Sequence, residues 1–541
     1  MSVRSGFALF LALSTLLFLA ACGNSNNVTN PVAPPSGGFS ASNLNGTYVF
    51  SVTGTDSNSE PYSMAGTLTA NGSGGSGGIS SGLVDINDVT FVTSFSPPII
   101  GADLPISNGS YNISVDGRGQ IKFTTSNAVF PSVVLDFVLS TSSHGLVSEF
   151  DVYGTGSGTL DLQSAGTTPT GSYAFSLSGA AFASSFQPYA AVGNFALTGT
   201  TASGIVDSNE DGLIPSLQGA LGGSVVVSST APSTTLNFPQ FGTLTFDVFP
   251  IDASHLKFIE MDEFATLVGD AFSQTSTQMP VGTLPFTLEG ETNAEFPFAA
   301  GGFITTDSTG DITAASSEDV AEFTSSGVLV PSTQSFTGSY TAAPASSGRY
   351  TLSNFSGFVP ASSTFAAYPS SGGLLMLEVD SQGITTGAAY TQTPGATLAP
   401  SEGYALNFSG FNATVDEVDD IAEFTASSSG DTVTGIVDEN SFGNGPSGFF
   451  DLALTGTYSL PGPSGQVSAS ADTENGGFLI NYYPVDGTTF PFIETDGGQV
   501  AAGVFVEQNA TAAAGAASAH SHIFMPHPLV RPHAVQKKKT N

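Results

Sequence analysis

The chain has 541 residues, which at about 150 residues per domain suggests three or four domains. Nine basic residues face 45 acidic ones for a formal charge of −36, which excludes binding nucleic acid through its phosphates, because that needs a lysine and arginine footprint. A single cysteine excludes a disulfide scaffold, and 42 phenylalanines with 14 tyrosines exclude an ordinary charged disordered chain.

Residues 1–21 read as a signal peptide. Arg4 is the lone charge, no charged residue stands between Gly6 and Ala21, and the apolar run falls short of the about 20 residues needed to span a bilayer. The segment ends in Leu19-Ala20-Ala21-Cys22, which resembles the lipobox of bacterial lipoproteins. The resemblance implies cleavage between Ala21 and Cys22, diacylglycerol on the Cys22 thiol and acylation of the new N-terminus. Gly23, where that family's sorting rule reads Asp as a retention signal, implies the outer membrane. Cys22 is the only cysteine in the chain, which fits a use in that chemistry alone. Residues 22–43 are polar with proline and glycine and read as a flexible tether.

Four copies of one module follow. GTYVFSVTG begins at Gly46, GSYAFSLSG at Gly171, GTLPFTLEG at Gly282 and EGYALNFSG at Glu402. A second element, Gly-Ser/Thr-Tyr/Val, recurs at Gly109, Gly223, Gly338 and Gly456. The third element is an acidic pair, Glu149/Asp151, Glu260/Asp262, Glu378/Asp380 and Glu494/Asp496. Each glutamate is followed 14 residues later by a glutamine: Gln163, Gln274, Gln392 and Gln508. This fixed offset marks duplication and gives modules at 44–168, 169–280, 281–396 and 397–510.

Large apolar residues alternate with small ones in runs such as Tyr173-Ala174-Phe175-Ser176-Leu177, the pattern of a strand with one buried face. Glycine and Asn-Gly or Ser-Gly clusters punctuate the runs, and no segment carries a helical apolar stripe. The spacing predicts an all-β chain of four tandem modules, each an antiparallel meander of about eight strands closed into a barrel, with a sandwich as the alternative. The Gly-x-Tyr opening resembles the Gly-x-Trp opening of lipocalin and avidin barrels over three residues. The whole repeat is similar to modules of uncharacterised secreted bacterial proteins, a resemblance that implies no activity. Residues 511–541 hold no acid, four histidines and four bases, and read as a disordered basic tail; His520 and His522 offer two donors for zinc or copper, and Lys537–Lys539 a contact for anionic lipid.

Few residues carry candidate chemistry. Gly74-Gly75-Ser76-Gly77-Gly78 matches the nucleophile-elbow pattern but lies between strand-like runs, so a hairpin loop is expected. His144 and His255 occupy one duplicated position that Gly373 and Thr489 fill elsewhere, a poor pattern for a catalytic base. Asp207, Asn209 and Asp211 match the first half of a calcium loop, with Gln218 in place of the closing glutamate. An Asx-turn is the plainer expectation for them. Other modules keep part of this pattern, as Asp85/Asn87 and Asp438/Asn440, and the third module aligns Glu318 with the first position. Residues 23–508 hold four bases (Arg118, Lys122, Lys257, Arg349) and all 45 acids, so most carboxylates must be solvated, hydrogen-bonded or bound to a cation.

These features suggest a non-enzymatic, lipid-anchored scaffold or binding array of the cell envelope, with no established cofactor beyond weak calcium and an envelope or extracellular partner. Small-ligand carriage inside each barrel is the alternative, and an enzyme acting on envelope glycans a further one. Replacing Cys22 with Ser is expected to abolish membrane retention, and mass spectrometry of the membrane fraction should find an acylated N-terminal cysteine in the unaltered protein. Unchanged processing in C22S would remove the assignment.

Overall fold

A computed structural model describes residues 31–511. The exceptions within that range are 89–98, 183–185, 211–214, 228–232, 240, 264, 325–326, 330–332, 343–346, 361, 442–446, 461–463 and 472–475. The signal peptide, Cys22, Asp211 and the basic tail therefore lie outside the described residues. Among the described residues there is no α-helix, only one turn of 3-10 helix at Ala41–Asn43.

The second module is a closed barrel of eight strands in meander order. It runs from Gly171–Phe182 to Ala265–Ser273, which pairs back onto the first strand. The fourth closes the same way, between Gly403–Asn412 and Gln499–Glu507. In the third, Pro297–Thr306 pairs with Asp311–Thr324 to complete the ring, and the short strand Gly327–Leu329 is added at its side. The first is a curled ten-stranded sheet left open between Ile99–Pro105 and Ser107–Ile113. Gly75–Ser76 pairs with Ser107–Ile113 beside that seam, so the nucleophile-like glycine run is a hairpin loop with Ser76 exposed.

The glycine that closes each opening repeat has a steric reason. A Cβ at Gly54, Gly179, Gly290 or Gly410 would lie 1.9, 2.0, 1.9 or 2.2 Å from a carbonyl oxygen of the module's last strand. The first and last strands of each module press together there, and only a residue without a side chain allows it.

Each module has its own filled interior. In the fourth, Tyr404, Phe408, Phe424, Phe490, Phe492 and Phe505 are buried together, and Phe490 stacks on Phe505 at 4.8 Å between ring centres. Burying one such side chain contributes about 1.5–3 kcal/mol, so a core of this size carries most of a module's stability.

The sequence alternation understates the burial. Strands such as Gly403–Asn412 and Gly383–Tyr390 are buried along their whole length. Their outward residues, Ala, Ser, Thr and Asn among them, meet the neighbouring module. Ala174, Ala190, Val192 and Phe272 of the second module pack on Ala366, Leu375 and Leu377 of the third. Ala299, Phe303 and Phe323 of the third pack on Tyr483, Ile493 and Ala502 of the fourth. Val138 and Leu146 of the first pack on Ala405, Ile421 and Val504 of the fourth, and Ala65 of the first on Ile259 and Met261 of the second. Small side chains on these faces let the sheets approach.

The modules thus form a closed ring, with the early strands of each against the late strands of the next and the fourth returning to the first. Two repeated residues tie every joint or nearly every joint. The glutamine after each acidic pair reaches forward: Gln163 Nε2 donates to Pro250 O (2.8 Å), Gln274 to Pro369 O (2.8 Å), Gln392 to Pro484 O (2.7 Å) and Gln508 to Asp116 O (2.8 Å). The third-strand asparagine clasps the next module's acidic turn. Asn87 Nδ2 donates to the carbonyls of Glu260 and Ala265 (both 2.9 Å), Asn209 to those of Glu378 and Gly383 (3.0 and 3.1 Å), and Asn440 to those of Glu149 and Gly154 (2.9 and 3.1 Å). In the third module the strand register places Ala321 at this position.

The end of the supposed tether is also packed. Phe39 enters the first core at 4% exposure, Ser36 Oγ donates to Gln508 O (2.7 Å), and Asn43 Nδ2 to Ala510 O (3.0 Å). Residues 34–43 therefore belong to the joint that closes the ring, because Phe39 and Leu44 cover apolar surface there.

Replacing Asn87, Asn209 or Asn440 with Ala leaves two buried carbonyl oxygens without their donor. Each change should cost about 1–3 kcal/mol in chemical unfolding of the full chain. Ala321→Gly, at the position without a clasp, should not reproduce this loss of donors and serves as the comparison.

Candidate functional site

The polar groups of this chain converge at the joints. Each third strand turns one aspartate outward: Asp85, Asp207, Asp319 and Asp438, set by the pairings Ala65–Asp85, Val192–Asp207, Gly301–Asp319 and Ile421–Asp438. The sequence alignment gave this place in the third module to Glu318. The pairing gives it to Asp319 and leaves Glu318 on the face of the core residue Val320, where its carboxyl accepts the Val359 N–H at 2.6 Å.

Three of the four aspartates receive hydrogen-bond donors from the module ahead. Asp207 is held by Arg349 (Nε to Oδ2 2.7 Å, Nη2 to Oδ1 2.9 Å) and by Tyr368 Oη at 2.5 Å. Asp319 Oδ2 accepts from Tyr483 Oη at 2.8 Å and Asn481 Nδ2 at 3.0 Å. Asp438 Oδ2 lies 3.2 Å from Arg118 Nη1, which also reaches Asp451 at 2.8 Å, while Arg118 Nε holds Asp116 at 3.1 Å. Bidentate guanidinium–carboxylate pairing is the strong form of such a contact.

The half calcium loop is therefore put to another use. Asp207 is occupied by Arg349 and Tyr368, and the Asn209 amide faces two carbonyl oxygens with its N–H groups. Neither side chain turns toward a common point in its own loop, and both lie on strand Thr201–Glu210. The reason is alternation: residues two apart on a strand share a face, and this face is the joint.

The acidic pairs lie at the turn before each last strand. The aspartate holds a strand start: Asp151 Oδ2 accepts from Val134 N at 2.9 Å, Asp262 Oδ2 from Thr245 N at 2.8 Å, and Asp380 Oδ2 from Thr364 N. The glutamate points into the buried end of the module. Glu149 accepts from Tyr62 Oη, Glu260 from Asn87 Nδ2 at 2.8 Å and Asp262 N at 2.8 Å, and Glu378 from Thr385 Oγ1 at 3.0 Å and Ser363 Oγ at 3.2 Å. Glu494 lies beside Asp496 and Gln499. Burial pushes the carboxyls of Glu149, Glu260 and Glu494 well above the ordinary range, with the adjacent aspartate a further cause, and Glu378 up to about 8. The same turn recurs in the same place in all four modules, as a repeated element of the fold.

His144 and His255 begin their strands and are buried. His144 Nδ1 contacts Asp161 at 2.7 Å, and His255 Nε2 contacts Asp270 at 2.6 Å, where Lys257 Nζ also bonds at 3.1 Å. Asp161 is lowered despite its burial, His144 being the largest stabilising charge.

A cleft of about 340 Å³ opens at the joint between the fourth and first modules. Arg118, Asp136, Asp438 and Asp451 line it with Gln120 and the exposed ring of Phe450. Asp136, bonded to Gln120 Nε2 at 2.6 Å, is pushed up to about 8 by burial and then by Asp438. The cleft thus places a fixed cation beside a carboxyl whose pKa is raised by burial. Only the scarcity of arginine could have pointed to it in the sequence, since its acids come from residues more than three hundred positions apart.

No family model matches this chain, and no curated protein matches it. Among solved structures, the crystal structure of kievitone hydratase from Nectria haematococca aligns with 68% of this chain and 93% of that chain at 10% identity, with a TM-score of 0.14. A likeness that slight carries no argument about fold or activity.

The many raised carboxyls fix the sign of a pH effect. Asp85, Glu318, Glu378 and Glu423 are each pushed up to about 8, mainly by burial. A carboxyl with a higher pKa folded than unfolded keeps its proton in the folded state. Its contribution is complete below the unfolded value of about 4 and is lost as pH climbs through the folded value. The melting temperature should therefore fall steadily between about pH 5 and pH 8, as read by circular dichroism. A rise over that interval would contradict these shifts.

Proposed function

We propose that the protein is a non-enzymatic scaffold of the bacterial cell envelope, held by a lipid on Cys22 and presenting a rigid ring of barrels to an envelope or extracellular partner. The observation that carries this reading is that the barrel interiors are filled with side chains, as in the fourth module's aromatic core. The residues repeated in all modules, Gln163 and the acidic pairs among them, act in folding and in the joints, which leaves the outer surface for recognition. A closed ring supplies stiffness and a defined spacing of surfaces, in place of the reach expected of a linear array. No helix among the described residues is long and apolar enough to cross a membrane, so the lipid would supply the attachment. Outer-membrane placement follows from Gly23 within the lipobox resemblance alone.

The cleft beside Arg118 supports a second reading, the binding of one small polar or anionic ligand per ring, as opposed to one per barrel. Native mass spectrometry of protein purified from its membrane separates the two. The scaffold reading expects the mass of the processed, acylated chain alone. A stoichiometric small molecule retained by the unaltered protein and lost in Arg118→Ala would replace it with carriage in the cleft.

A further inference from the structure

The four joints are copies of one another, and one of them lacks a positive charge that its closest counterpart has. At the joint from the fourth to the first module, Arg118 is held by Asp116 of its own turn and stands among three further acids: the third-strand Asp438, Asp451, and Asp136 across the joint. Asp438 Oδ1 accepts the backbone N–H of Asp451 at 2.6 Å, and Asp451 sits at a φ of +51°. At the joint from the first to the second module the same three places are held by Asp85, Asp103 and Asp247. Asp85 Oδ1 accepts the backbone N–H of Asp103 at 2.6 Å, and Asp103 has a φ of +50°. Asp247 pairs in register beside Phe246–Glu260, as Asp136 does beside Leu135–Glu149.

The arginine has no equivalent there. The second module's only base is Lys257, which is bonded to Asp270. The tyrosines that serve Asp207 and Asp319, Tyr368 and Tyr483, correspond to Phe249, each standing just before the proline whose carbonyl takes the glutamine tie. Asp85 therefore meets a second carboxylate where its three counterparts meet donors.

One observation independent of the acid count points to a ligand, and the spacing of the three carboxylates agrees with it. Asp85 is 1% exposed, and no hydrogen-bond donor among the described residues reaches its Oδ2. One oxygen from each of Asp85, Asp103 and Asp247 lies within 4.8 Å of the others. Oxygens bound to one calcium ion at about 2.4 Å can be at most about 4.8 Å apart, so the three can share an ion. Asp85 and Asp247 are buried while Asp103 is partly exposed, which gives an approach from solvent.

We propose that a hard divalent cation of the calcium class binds between Asp85, Asp103 and Asp247, in the place that the Arg118 guanidinium fills at the joint from the fourth module to the first. Three carboxylates with the remaining ligands from water suit calcium better than a soft metal, since no nitrogen or sulfur donor takes part. Affinity in the range of extracellular calcium modules, about 10⁻⁴–10⁻³ M, is expected for a site completed by water. The ion would lock the first module to the second, and the first is the module whose sheet is left open.

The experiment is calorimetric titration of calcium chloride into the full chain after chelation, with thermal melting in calcium and in sodium chloride of equal ionic strength. The expected result is one stoichiometric site and a melting temperature raised by calcium beyond the sodium control. Asp103→Asn, at the partly exposed rim, should weaken binding at least about tenfold, three carboxylates being reduced to two. Asp85→Asn should abolish binding, and Asp136→Asn, at the arginine-filled counterpart, should leave it intact. If Asp85→Asn fails to fold, Asp103→Asn decides. The proposal is overturned if calcium does no more than sodium, which would leave a proton shared by Asp85 and Asp247, or if Asp103→Asn binds as tightly as the unaltered chain.

Discussion

Asn440 and Gln508 of the last module donate to backbone carbonyls of the first, and the rest of the architecture depends on that return. Without it the outward faces of the first and fourth modules would stand open, with Val138, Leu146, Ile421 and Val504 in water. A ring of identical joints is the closed form of head-to-tail association; a set that failed to close would leave two sticky ends. Here the copies are on one chain, so closure is intramolecular and needs no second molecule.

The ring also explains how a chain with so few bases can bury so many acids. An isolated buried carboxylate is costly, and the cost falls when it gains donors or keeps its proton. The joints combine these devices differently. Asp207 and Asp438 take arginine, Asp319 takes tyrosine and asparagine, and the glutamates of the acidic pairs are pushed toward the neutral form by burial. The two arginines of the modules stand at opposite joints, each bonded to the outward aspartate of the preceding module. That economy makes the first joint conspicuous, where Asp85 and Asp247 face each other with neither arginine nor tyrosine between them.

For function, the filled interiors matter more than the number of barrels. Antiparallel barrels of eight strands are just wide enough for side chains to fill or for one small ligand, and here the phenylalanines take the space. A cleft of about 340 Å³ lies outside the barrels, beside Arg118. The same rigidity that fills each barrel fixes the spacing of the four outer surfaces, since the joints bury apolar side chains together with their polar ties.

The sequence by itself determined the strand content, the four copies and the eight-strand meander, because alternation, turn glycines and a repeated Glu-to-Gln offset are local signals. It also marked the residues that matter: the asparagines, the glutamines and the acidic pairs are the parts that recur. What they do was decided only by the tertiary structure. Asn209 resembled a calcium ligand because its neighbours in sequence are acids, yet its amide faces Glu378 O and Gly383 O, about 170 positions away. Glu318 was aligned with Asp207 by spacing, whereas strand register, which a one-residue shift inverts, gives the place to Asp319. The small residues of each strand read as solvent-facing, since nothing local distinguishes an alanine beside water from one beside another barrel. Closure of the ring sets that difference, and closure depends on contacts between the two ends of the chain.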